Sequence, residues 1–100
     1  MTRAVAAYAA RNRKIIAERR MRAAEGTVRA LERRIEANRR ALERGHFVLI
    51  QQRRDCVDAI NESEAALPRW RAKLERCREE YAQALRDYEE ARECTSSGSE

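Results

Sequence analysis

Three cysteines, one histidine and a dense mixture of carboxylates and guanidinium groups are the side chains with which this 100-residue chain could do chemistry. Cys56, Cys77 and Cys94 stand 21 and 17 residues apart, a spacing that suits neither a zinc site nor a Cys-x-x-Cys redox pair. Their odd number, with no export signal before them, predicts reduced thiols. Cys56 and Cys77 fall on apolar stripes and are expected to pack. Cys94, beside a polar tail, is expected to be exposed and open to stray disulfide formation. His46 has no second histidine with which to build a triad or a metal site. The carboxylates recur at helical spacing ahead of arginines, as in Glu18 with Arg22, Glu25 with Arg29 and Glu36 with Arg40, so they read as solvated i, i+4 ion pairs rather than acid/base pairs. Glycines at 26, 45 and 98 make no phosphate-binding loop. No enzymatic activity and no cofactor are expected.

One pattern points to binding chemistry instead. Arg11, Arg13, Lys14, Arg19, Arg20 and Arg22, followed by Val28, Ile35, Leu42 and Leu49 at sevens, imitate a basic region joined to a leucine zipper, which would neutralise phosphates and enter the major groove as a dimer. Basic zippers carry an Asn, two Ala, then Ser or Cys and Arg in fixed register. Here Ile15 and Ile16 stand in the alanine positions and Arg19 in that of Ser or Cys. The second half, with 9 basic against 12 acidic residues, would also be superfluous to such a protein.

The elements that must hold these residues are helices. Charged residues make up 39% of the chain and aromatic residues 5%, poor material for a globular core, and mean hydropathy is −0.86. Ala, Arg, Glu and Leu dominate, all strong helix formers. Met21, Val28, Ile35, Leu42, Leu49 and Cys56 recur at sevens, with Ala24, Leu31, Asn38, Gly45, Gln52 and Ala59 three further on. A second series runs through Ile60, Leu67, Leu74, Tyr81 and Tyr88, with Ser63, Trp70, Cys77, Ala84 and Ala91 at the same offset. Both are coiled-coil seams. They differ in phase by four residues, which means a stutter in one helix or a change of partner. Asn38 on the seam is similar to the polar core residues that set coiled-coil register, and Gly26 costs its helix about 1 kcal/mol relative to alanine.

Charge decides that the chain folds back. Residues 1 to 22 carry seven basic side chains against Glu18 alone, and residues 79 to 93 carry six acidic side chains against Arg86 and Arg92. Side by side these segments attract. The turn falls either at 44 to 48, where Gly45 follows Arg44 as a helix C-cap, or at Asn61-Glu62-Ser63-Glu64, where Asn and Ser could cap a second helix. Leu49 and Cys56 continue the first phase past Gly45 and speak for the second site; the balanced helix lengths speak for the first. With the turn at 44 to 48, helix 1 covers about 3 to 44 and helix 2 about 47 to 94, Pro68 kinks the second helix, and residues 95 to 100 form a disordered tail. The fold class expected is all-α, a two-helix antiparallel coiled-coil hairpin.

At the first of these turns the run His46-Phe47-Val48-Leu49-Ile50 is the most concentrated apolar stretch of the chain. Exposed apolar patches of this kind mark protein contacts, or else seal a hairpin end or mediate self-association. Phe47, Val48 and Ile50, the basic face of Arg11, Arg13, Arg19 and Arg20, and the seam residue Trp70 are therefore the candidate partner-binding residues. No run of 18 apolar residues exists, and the alanine-rich stretch ending at Ala10 is too short and small-chained for a signal-peptide core, so a cytoplasmic protein is expected.

An Arg/Ala/Glu-rich hairpin with Leu67-Pro68-Arg69-Trp70-Arg71, then Leu74 and Arg78, resembles the stalk proteins of type III secretion and flagellar export, the FliJ/YscO-like family, over about residues 8 to 93. That resemblance implies a stalk seated in a hexameric export ATPase, touching chaperones or the export gate, and peripheral to the inner membrane through the export complex. The function expected is a non-enzymatic protein-interaction rod of this kind. A dimeric basic coiled coil that binds nucleic acid is the alternative, and a homo-oligomeric scaffold in which two hairpins form a four-helix bundle is a third reading.

Overall fold

The computed structural model describes residues 2 to 98, with side chains as far as Glu93. It is all-α: α1 spans Arg3–Arg44 and α2 spans Ile50–Gly98, and the two run antiparallel, Lys14 meeting Tyr88 and Arg39 meeting Glu64. Thr2 caps α1, its Oγ1 accepting from the Val5 N–H at 3.2 Å and so satisfying one donor of the first turn. Arg44 stands in the last turn of α1, where a cation complements the exposed carbonyls. Gly45 then takes φ 67°, and its N–H donates to the Ala41 carbonyl at 3.2 Å. That left-handed conformation closes α1 and turns the chain.

The connection thus occupies residues 45 to 49, at the first of the two sites foreseen, and α2 begins three residues later than position 47. Gln52 is the reason. From the third helical position its Oε1 accepts from the N–H groups of Val48 (3.0 Å) and Leu49 (3.2 Å), which sets the helix start beyond them. The rival site at Asn61 to Glu64 lies inside α2. Pro68 is also interior and exposed, and its missing N–H removes one rung of the helical ladder there. At the far end, residues 95 to 98, expected to be a loose tail, continue the helical backbone, Thr and Ser being only mildly unfavourable in a helix. Ser99, Glu100 and the Cys94 side chain lie outside the described residues. No helix among the described residues is long and apolar enough to cross a membrane.

Two compact units form. The connection unit, Ala24–Lys73, buries Ala24, Val28 and Ile35 of α1 with Ala59, Ser63 and Leu67 of α2. The α2 positions are four apart, so the phase offset foreseen in the sequence is a stutter within α2. Of the first-phase members beyond the cap, Leu49 and Gln52 are exposed, whereas Cys56 is half-buried and Ala59 buried. Ser63 is the most enclosed side chain, 1% exposed, and its Oγ accepts a long hydrogen bond (3.4 Å) from Arg34 Nη1. Arg34 also faces Glu62 at 3.6 Å, and Arg39 pairs with Glu64. The side chains of these cross-helix pairs are about half exposed or more, so each pair contributes at most about 1 kcal/mol. Asn38, expected to set register across the seam, donates instead to the Arg34 carbonyl of its own helix at 2.7 Å, a side-chain-to-backbone bond that spends its donor locally.

The terminal unit joins Met1–Ala23 to Leu74–Glu100 and buries Ala10 and Ala17 with Leu74, Cys77 and Ala84. It brings the basic and acidic ends of the chain together. Lys14 Nζ sits 4.6 Å from the centre of the Tyr88 ring, with Arg92 on the same ring at 5.8 Å. A cation held over a half-buried ring gains from its quadrupole as well as from the acidic surroundings. Cys56 and Cys77 are free thiols, the second fully buried, which suits their role as packing residues. The three foreseen i, i+4 pairs form, Glu18–Arg22 at 2.9 Å, Glu25–Arg29 at 3.9 Å and Glu36–Arg40 at 2.9 Å.

Candidate protein interface at the helix connection

The cap at Gly45 and the start set by Gln52 leave five residues, 45 to 49, to join two helices, and this short span cannot turn all its side chains inward. Phe47 alone is half-buried. Val48 is 89% exposed, Leu49 60% and Ile50 76%, the most exposed apolar cluster among the described residues. Side chains of this size gain roughly 1.5 to 3 kcal/mol each when fully removed from water, so the cluster is a reservoir of binding free energy.

The backbone beneath it is prepared for burial. Gln52 occupies the Val48 and Leu49 N–H groups, so a partner that excludes water here leaves neither donor stranded. Gln51 Nε2 donates to Asp55 Oδ1 at 2.8 Å and holds the next turn. Arg44, Arg53 and Arg54 are exposed and flank the cluster in sequence with cations. The arrangement offers apolar anchoring with a basic rim.

Other residues singled out by the sequence lie elsewhere. Arg11, Arg13, Arg19 and Arg20 are all exposed, in the terminal unit. Trp70 is half-buried on α2, twenty residues past its start, about 30 Å along the helix at 1.5 Å per residue. Lys73 Nζ covers its ring at 4.7 Å. Of the foreseen site, the structure therefore brings together Phe47, Val48 and Ile50 and places Trp70 apart from them, while the basic face belongs to the terminal unit.

Leu49 belongs with the cluster although it fits the first heptad phase. Gly45 holds the corrective signal, since residues in a connection past a helix cap need not keep the seam of the helix before it. Val5, Tyr8 and Ile16 are exposed apolar residues off the heptad of α1. Among the described residues no cluster of three His, Cys, Asp or Glu is placed to hold a metal ion. No protein-family model, curated protein or solved structure gives a significant match to this chain.

Proposed function

We propose that this chain is a non-enzymatic coiled-coil protein-interaction element that captures a protein partner through the residues joining its two helices. The observation that carries the reading is the exposure of Val48, Leu49 and Ile50 on a connection whose N–H groups at 48 and 49 are already satisfied. A solvated loop has no use for three adjacent aliphatic side chains; a docking tip does. The stalk of a type III export ATPase complex is the concrete version, supported by the antiparallel helix pair and the sequence resemblance of residues 67 to 78.

A photo-crosslinking residue at position 48, with the same residue at exposed position 29 as control, tests the reading in extract of the native host. A single protein adduct at 48, lost on Ile50→Ser, is expected. Adducts equal at both positions would remove the tip from the account. For the stalk version the probe is a purified export ATPase: binding measured by calorimetry, weakened about tenfold or more by Val48→Ser with Ile50→Ser, is expected. No binding by the unaltered chain sinks that version alone.

A further inference from the structure

The terminal unit carries an outward face with an ordered charge pattern. An open groove of about 480 Å³ is lined on α1 by Arg13, Ile16, Ala17 and Arg20 and on α2 by Glu80, Gln83, Ala84 and Asp87. Both sets follow the i, i+3, i+4, i+7 spacing of one helix face. A neighbouring groove of about 260 Å³ shares Asp87 and adds Arg3 on α1 and Glu90 on α2. The face is therefore two parallel columns: Arg3, Arg13 and Arg20 on one helix, Glu80, Asp87 and Glu90 on the other. Ile16, 48% exposed, flanks the basic column on its side away from α2, and the small side chains of Ala17 and Ala84 form the floor between the columns.

Within one molecule these columns are not spent on each other. Among the described residues, Arg3, Arg13 and Arg20 form no ion pair within 4 Å with Glu80, Asp87 or Glu90, and Asp87 Oδ1 accepts from Gln83 Nε2 at 2.9 Å. A face with equal and opposite charges in two separate columns, and a floor of small side chains between, matches one surface above all: its own.

We infer that this face is an isologous dimer interface, occupied by the same face of a second copy, with the two-fold axis lying in the interface along the helix direction. Rotation about that axis sets α1 of each copy over α2 of the other, so each basic column meets an acidic one and each Ile16 comes over the Gln83 edge of the other copy's α2. A two-fold across the helices would instead set arginine over arginine and is rejected by repulsion. A polyanion would meet the acidic column and an acidic protein would satisfy only half the face.

Charge exchange tests the geometry. Sedimentation velocity over about 1 μM to 1 mM at low salt should show a monomer–dimer equilibrium that weakens as salt rises. The variant Arg13→Glu with Arg20→Glu, and separately Glu80→Arg with Asp87→Arg, should each be monomeric with helicity unchanged by circular dichroism. Mixed together they should form a heterodimer, because the groove residues at 13, 20, 80 and 87 are then all acidic in one variant and all basic in the other. Ile16→Ser should raise the dissociation constant about tenfold or more, with the fold intact because the side chain is exposed. A wild-type chain that stays monomeric over the whole range overturns the inference. So do reversed variants that dimerise as tightly as wild type, and folded variants that fail to associate on mixing.

Discussion

Glycine-to-alanine substitution at two positions of α1 and its end should move stability in opposite directions, because backbone geometry alone separates them. At Gly26, inside the helix, exposed and without a positive φ, an added Cβ would meet nothing within 4 Å. Alanine there restores helix propensity and restricts the unfolded chain, a gain of about 1 kcal/mol. At Gly45 an added Cβ also meets nothing within 4 Å, but φ is 67°. A non-glycine residue in the left-handed region costs about 1 to 2 kcal/mol. The unfolded-state gain of about 0.4 to 1 kcal/mol offsets part of it, leaving a net loss of about 1 kcal/mol. Melting followed at the helical circular dichroism band, at one fixed protein concentration, should place Gly26→Ala about 4 to 8 °C above wild type and Gly45→Ala a similar interval below it. Gly45→Asn should fall between Gly45→Ala and wild type, since asparagine tolerates the left-handed region better. Two results would refute the reasoning: a Gly45→Ala protein at least as stable as wild type, which would mean the connection does not need the left-handed cap, or a destabilised Gly26→Ala, which would mean a helix face taken as open is occupied.

Ser63 and the Arg39–Glu64 pair give two further expectations. Ser63→Ala should change unfolding free energy by less than about 1 kcal/mol, since the bond it loses is 3.4 Å long, whereas Ser63→Leu should cost about 1 to 3 kcal/mol by overfilling a site that is 1% exposed; chemical denaturation separates them, and a tolerated leucine would show that the seam has room there. A double-mutant cycle on Arg39→Ala and Glu64→Ala should give a coupling of about 1 kcal/mol or less that shrinks with salt, since both side chains are about half exposed; a larger, salt-insensitive value would contradict the view that these pairs are minor.

Which residues could form a seam was a local matter. Val28, Ile35, Leu67, Leu74 and Ala84 stand at sevens because a helix brings such positions to one face, and no partner is needed to see it. The same holds for Glu36 with Arg40 and for Gly45, whose readings depend on residues within one turn. The all-α antiparallel class followed from these together with the opposed charges of the two ends. Whether Leu49 was seam or surface could not be read locally, since it fits the heptad and only the cap at Gly45 with Gln52 at the next helix start withdraws it from the partner. Ser63 looked as much like a turn cap as a core residue until α1 lay against it. The columns at Arg13/Arg20 and Glu80/Asp87 are sixty or more residues apart in sequence, and only packing of one helix on the other makes them a single face. Sequence period speaks for one helix at a time; which surfaces two helices share, and which they leave to others, is set by the contact between them.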